Sequence, residues 1–178
     1  MSSQLWFTIL VLAVGCERLA ELSVATRNRR WAVSNGGVEI GRRHYPLIVS
    51  LHTGLLAGCL VEVWWRRPAF EPVLGLAMII LVLAAQALRW WCIATLGRRW
   101  NTRVIVIPGL APIRRGPYRL LSHPNYLAVV VEGVALPLVH TAWITALAFT
   151  VLNAAVLSVR IRVENRALAT AAGSGAAR

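Results

Sequence analysis

Apolar runs of bilayer length alternate with short Arg-rich breaks along this chain. Residues 4–25 form the first run, and at about 1.5 Å per helical residue they reach across a hydrocarbon core about 30 Å thick. A second run, residues 45–65, closes on Trp64-Trp65 at interface depth, and a third, residues 73–93, follows the Pro-bounded turn at 68–72. The apolar region from 127 to 159 is too long for one crossing. Pro137, His140 and Thr141 divide it, which predicts a helix over 125–139, a tight turn, and a last helix that runs on past 159. The pattern therefore predicts an all-α integral membrane protein of about five transmembrane helices, the last two a helical hairpin. Ser23-Val24-Ala25 has the small residues of a signal-peptidase site. No basic segment precedes the run, however, and Glu17, Arg18 and Glu21 interrupt it, so it reads as a retained helix.

The breaks set the orientation. Residues 26–44 carry Arg27, Arg29, Arg30, Arg42 and Arg43 against Glu39 alone, with Gly36-Gly37 as a flexible break, and this bias marks the cytoplasmic side. Residues 96–125 form the longest polar connection and carry Arg98, Arg99, Arg103, Arg114, Arg115 and Arg119, so they belong on the same side. Connections of that length are functional or disordered, and the apolar extended run Val104-Ile105-Val106-Ile107 before Pro108-Gly109 favours an ordered one packed back on the protein or interface. Arg66-Arg67 is the main exception to the pattern. With the N-terminus outside and the C-terminus inside, both basic loops and the polar exit of the last helix meet at one face. The chain reads as one domain over 1–168, made of three N-terminal spans (1–95) and a loop, hairpin and exit helix (96–168), with a flexible tail at 169–178.

Polar side chains inside the runs admit two readings each. Glu17 and Glu21, four apart, share a helix face with Arg18 close by, either snorkelling to headgroups or lining a polar cavity. Gln86 and Arg89 share a face beside Trp90 and Trp91, as an aromatic belt or as a contact for a polar substrate head. Glu132 lies well inside its helix, as a functional group or as the buried partner of Arg89 or another helix. His52 in the second run has the spacing of a helix–helix hydrogen bond more than of a ligand, and Glu62 reads as a headgroup-level carboxylate.

Composition changes the picture little. Mean hydropathy is +0.61. Every basic residue is Arg and every acidic one Glu, a bias of codon usage rather than of function. The net charge of +12 falls between apolar segments rather than in one stripe, so membrane topology accounts for it and nucleic acid is not an expected partner. Cys16, Cys59 and Cys92 stand singly in apolar runs, which supports neither a disulfide framework nor a metal site.

The densest chemistry is Gly116-Pro117-Tyr118-Arg119-Leu120-Leu121-Ser122-His123-Pro124-Asn125-Tyr126, directly before the hairpin. Gly-Pro supplies a turn, and Pro124 suits the first turn of a helix, which puts His123 at a helix N-terminus where negative charge is favoured. A second polar group, Arg160-Ile161-Arg162-Val163-Glu164-Asn165-Arg166, follows the hairpin, with Arg160 and Glu164 on one face. By itself it reads as a solvated amphipathic exit helix. No Gly-x-Gly-x-x-Gly follows a strand, so a Rossmann cofactor domain is not available.

Together these residues resemble the isoprenylcysteine carboxyl methyltransferases, over about 96–168. More narrowly, Asn28 with Trp31, Glu39-Ile40-Gly41, His44-Tyr45-Pro46 and Arg89-Trp90 resemble the bacterial branch found beside type III polyketide synthases, whose members are thought to O-methylate alkylpyrones. The resemblance implies a membrane methyltransferase with S-adenosylmethionine as cofactor, held in a cytoplasmic pocket, and a lipophilic substrate that enters sideways from the bilayer. By motif position, Tyr118, His123, Pro124, Asn125, Tyr126 and Glu164 are the implied cofactor contacts, with Leu110 to Ile113 beside them. Arg160 is the implied catalytic and substrate-facing residue, and Arg89 and Glu132 are candidates for substrate contact. It also implies a bacterial inner-membrane location and a functional link to a polyketide synthase. The family usually has two consecutive Glu where this chain has Glu164-Asn165, which weighs against a prenylcysteine substrate.

S-adenosylmethionine presents an ammonium, a carboxylate, an adenine and a sulfonium, and the quoted side chains offer a complement to each. An acidic oxygen, carboxylate or enol, is anionic near neutral pH, so no catalytic base is assigned. The competing classes are a nicotinamide-dependent membrane reductase for sterol-like lipids, a phospholipid N-methyltransferase, and a scaffold in which His123, Arg160 and Glu164 satisfy one another.

Overall fold

A computed structural model describes residues 3–41, 45–111 and 113–175, with side chains described through 167. Arg42, Arg43 and His44 lie outside the described residues, as do Pro112 and the side chains of the 169–178 tail. Five helices account for most of the chain: α1 (Ser3–Ser34), α2 (Tyr45–Arg66), α3 (Pro72–Leu96), α4 (Pro124–Leu138) and α5 (Trp143–Gly175). The protein is an all-α membrane protein. Helices α2, α3 and α5 are long and apolar enough to cross a bilayer, and α4 is a shorter apolar helix. Leu12, Leu83 and Leu147 are 55%, 62% and 68% exposed, whereas Glu21, Arg89 and Glu132 are buried. Apolar groups outside and charged groups inside is the arrangement that hydrocarbon solvent selects.

The helices alternate in direction. One end of the bundle, the loop face, carries the 35–44 and 97–123 connections, and the other, the turn face, carries the 67–71 and 139–142 turns. Helix α3 packs on α4, α4 on α5, α5 on α2, and α2 on α1. The core is apolar toward the turn face, around Phe7, Val11, Leu55, Val63, Leu136 and Phe149. Small residues set the helix separations: a Cβ built on Gly133 would lie 2.1 Å from the Phe149 ring, and one on Gly58 would lie 3.0 Å from Thr145. Glu62, expected at headgroup level, lies one turn from the turn-face end of α2. It is buried, and it accepts hydrogen bonds from the Ile144 and Thr145 amides at 3.1 and 2.8 Å, so a carboxylate of α2 caps the N-terminus of α5.

Two expectations for the loops change. Helix α1 continues past residue 25 to Ser34, because no Gly or Pro falls between residue 25 and Gly36. Gly36-Gly37 is a hydrogen-bonded cap instead of a flexible break: Gly36 has φ 78°, and the Gly37 amide donates to the Ala32 carbonyl at 2.8 Å. The fold is also not purely helical. Val38–Ile40 (β1) pairs antiparallel with Val104–Val106 (β2), Glu39 opposite Ile105, so the extended run at 104–106 docks on a partner 64 to 68 residues earlier in the chain.

Candidate active site

The site is built where β1–β2, the 97–123 connection and the loop-face ends of α1, α2, α4 and α5 converge. Side chains of α1 fasten the connection. Asn28 donates to the Gly97 and Trp100 carbonyls at 3.1 and 2.8 Å, and Arg29 meets the Glu39 carboxylate at 3.2 Å. Arg103 reaches the same carboxylate and lays its guanidinium 4.0 Å over the Tyr45 ring. Burial disfavours the Glu39 charge, yet hydrogen bonds from Arg103 and Arg29 outweigh that and hold the carboxyl below its ordinary value.

On the other side, His123 caps α4: its carbonyl accepts from the Tyr126 and Leu127 amides at 3.1 and 3.3 Å, and Pro124 takes the first helical position, as the sequence predicts. The His123 ring stacks on Tyr126 at 5.1 Å and contacts Asn165 Oδ1 through Nε2 at 3.2 Å, while Nδ1 lies 4.0 Å from Glu164. The Tyr126 hydroxyl donates to Glu164 and accepts from Arg160 Nε at 2.9 Å. A second Arg160 nitrogen donates to the Thr102 carbonyl at 2.7 Å. Arg160, Tyr126 and Glu164 thus form one chain of charge-assisted bonds that ties α5 to α4 and to the loop.

Two cavities meet at this chain. The one at the loop face, about 140 Å³, is lined by Trp100, Arg103, Tyr118, His123, Asn125, Tyr126, Arg160 and Glu164. The other, about 230 Å³, runs down between α1, α2, α4 and α5 and is lined by Arg18, Glu21, Tyr45, His52, Arg89, Asn125, Tyr126, Asn153 and Arg160. Trp100, Asn101, Asn125, Tyr126 and Arg160 belong to both. Asn125 Oδ1 is buried at that junction and has no hydrogen-bond partner among the described residues. Tyr118 stands beside the Cys92 thiol, and burial together with that thiol pushes its phenol up, so the hydroxyl stays protonated.

Below the junction, four charges are closed on one another. Arg89 pairs with Glu132 and lies 3.5 Å from Glu21. Arg18 bonds Glu21 at 2.7 Å and Gln86 at 2.7 Å, and lies 3.3 Å from Glu132. Glu17 accepts from Gln86 and Trp90. Helices α1, α3 and α4 are stitched together by these bonds. Arg18, Glu21 and Arg89 face the larger cavity, but Glu132 does not line it.

Of the sequence candidates, Tyr118, His123, Asn125, Tyr126, Arg160 and Glu164 come together. Pro124 is fully buried and acts as the first residue of α4. Leu110 is exposed in the loop, and Ile113 lines a separate basic concavity with Trp31, Arg98, Arg99, Arg114 and Arg115. Trp100, Thr102 and Asn153 escaped the sequence reading. Asn153 left a signal nonetheless, as a solitary amide in an apolar helix seven residues before Arg160.

Comparison with known proteins places this arrangement. Residues 78–170 match the isoprenylcysteine carboxyl methyltransferase (ICMT) family. The chain belongs to this family. Both polar groups and the hairpin between them fall inside the matched residues, and membership implies a membrane methyltransferase. Methyltransferases of the ICMT family use S-adenosylmethionine. Over nearly its whole length the chain is also similar to an uncharacterized protein, YpbQ, of Bacillus subtilis (strain 168), at 37% identity over 92% of this chain and 95% of the relative. An uncharacterized protein of Haemophilus influenzae (strain ATCC 51907 / DSM 11121 / KW20 / Rd) is 24% identical over the same shares. No solved structure matches the chain.

Proposed function

We propose that this protein is an S-adenosylmethionine-dependent methyltransferase that methylates an acidic oxygen, carboxylate or enol, of a lipophilic acceptor. One observation carries the reading: a polar cavity at the loop face and a cavity with apolar walls inside the bundle share Arg160, Tyr126 and Asn125 in their linings.

The residues of the loop-face cavity fit the cofactor's chemistry. Glu164 is the carboxylate for an ammonium, the Tyr118, Tyr126 and Trp100 rings suit an adenine or a sulfonium, and the unpartnered Asn125 oxygen accepts a hydrogen bond. S-adenosylmethionine supplies the activated methyl group and its own leaving group. What the protein adds is alignment and exclusion of water. Arg160 holds the acceptor's anionic oxygen at the junction, and its bonds to Tyr126 and Thr102 fix the guanidinium there. The acceptor's apolar body lies in the larger cavity between Ile48, Leu56, Val129 and Val156. An anionic oxygen needs no proton removed before it attacks, so no base is assigned.

The Arg-rich loop face is the cytoplasmic side of an inner membrane, and all five helices cross or enter the bilayer. The similarity to the branch beside type III polyketide synthases gains support from placement. Asn28 and Glu39 fasten the loop beside the junction, and Tyr45 and Arg89 border the larger cavity, so four of the residues that mark the branch lie at or next to the proposed acceptor site. We therefore place the acceptor among acidic lipophilic products such as those of a polyketide synthase.

The test is transfer of radiolabelled methyl from S-adenosylmethionine to acidic lipids by the purified protein in nanodiscs. Label in an ester or enol ether, lost in Arg160→Ala, is the expected result. Label in a methylated amine, or none with any acid or enol offered, would count against the proposal.

A further inference from the structure

The larger cavity is polar at both ends. Its α5 wall is Asn153, Val156, Leu157 and Arg160, which is one face at the i, i+3, i+4, i+7 spacing. Asn153 therefore lies below Arg160 on the same stripe, about 10 Å deeper at 1.5 Å per residue. The α2 wall repeats this spacing with Tyr45, Ile48, Val49 and His52, so His52 lies equally deep below Tyr45. Phe149, one turn from Asn153, meets the His52 ring edge-on at 5.6 Å, which brings the two walls together at that level.

Asn153 is 5% exposed, and among the described residues its amide has no hydrogen-bond partner. In a bilayer-embedded helix an unpaired amide is costly, and such groups find a partner or mark a site. His52 Nδ1 lies 2.9 Å from the Ile48 carbonyl. A carbonyl only accepts, so Nδ1 carries the proton in the neutral ring and Nε2 is left as an acceptor.

We infer that Asn153 and His52 form an inner polar subsite that binds a neutral hydroxyl of the acceptor lipid, two helical turns from the oxygen that Arg160 holds. A hydroxyl donates to His52 Nε2 and accepts from the Asn153 amide, which uses both unmatched functions at once. A carbonyl would leave the His52 acceptor unmet. Arg18, Glu21 and Arg89 are ion-paired among themselves and form the charged wall beside the subsite, with Arg18 Nε, Glu21 Oε1 and Arg89 Nε making no hydrogen bond among the described residues. The inference rests on the larger cavity being the acceptor site, and it adds a selectivity that the apolar walls do not supply.

The test is displacement of radiolabelled dodecanoic acid from protein in nanodiscs by 12-carbon acids that carry one hydroxyl, moved along the chain. The wild type is expected to prefer one hydroxylated isomer over dodecanoic acid by about tenfold, the scale of one or two buried neutral hydrogen bonds. The optimum falls roughly six to ten bonds from the carboxylate of an extended chain. Asn153→Leu, close in volume, and His52→Phe, which keeps the edge-on contact, each bring the preference within about twofold. A wild type that binds every isomer alike, a preference that survives both substitutions, or no saturable binding of any acid overturns the inference. Positional preference without methyl transfer would leave the subsite standing and count against the methyltransferase reading.

Discussion

Two groups of charged residues share this bundle, and they differ in how far they are exposed. Inside the helices, Arg18, Glu21, Arg89 and Glu132 are buried and closed on one another across α1, α3 and α4. At the loop face, the Tyr126 hydroxyl links Arg160 and Glu164, His123 stacks on the Tyr126 ring, and all four line an open cavity, with exposure on His123 and Glu164 of 21% and 28%. The first group balances its own charges and holds helices together, although Arg18 Nε, Glu21 Oε1 and Arg89 Nε make no hydrogen bond among the described residues, whereas the second keeps partly exposed groups on an open cavity that a ligand can enter. Charge near a lipid boundary does not by itself mark a site.

The comparison breaks most sharply at Glu132. Glu132→Ala leaves Arg18 and Arg89 to share Glu21 in the buried cluster and is expected to lower stability by about 3–5 kcal/mol, read from thermal unfolding in detergent. Adding Arg89→Met should recover much of the loss, and no recovery would show that the pair does more than cancel charge. Gly133→Ala separates packing from charge on the same helix. It drives a methyl into the Phe149 ring and is expected to cost about 1–3 kcal/mol with the charges intact. Tyr126→Phe removes the hydroxyl that links Arg160 and Glu164. It should weaken S-adenosylmethionine binding by about 0.5–1.5 kcal/mol, roughly two- to tenfold, with a smaller change in unfolding temperature.

The smallest effect is a pH dependence at Glu39. Its folded value lies below the ordinary 4.5, so its contribution is fully present above that pH and is lost as pH falls through the depressed value. Hydrogen exchange of residues 100–106 should therefore quicken as pH drops below about 4.5, after correction for intrinsic rates, and Glu39→Gln should flatten that trend.

Much of this was legible in the sequence, because bilayer length and Arg bias are strong signals. The runs at 45–65, 73–93 and 125–139 fall within one to three residues of α2, α3 and α4 at either end. The His123-Pro124 start and the Glu164 group were visible because turn chemistry and i,i+4 spacing are local. The β1–β2 pairing was not, since three-residue strands far apart in sequence carry no periodicity of their own. The cap that Glu62 makes on α5 was hidden for a similar reason: apart from its i,i+4 neighbour Arg66, its partners are backbone amides and a hydroxyl of α5, and no local side-chain pattern announces them. Whether Arg89 served structure or substrate depended on where α1 and α4 placed Glu21 and Glu132, which only packing decides.

Isothermal titration of the detergent-solubilised protein with S-adenosylmethionine and S-adenosylhomocysteine, beside Glu164→Gln, tests the central claim most directly. The account predicts saturable binding by the wild type. In Glu164→Gln it predicts a loss of about 1.5–3 kcal/mol, roughly ten- to a hundredfold, with an unchanged unfolding temperature. No binding by a folded wild type, or equal affinity in the variant, would contradict it.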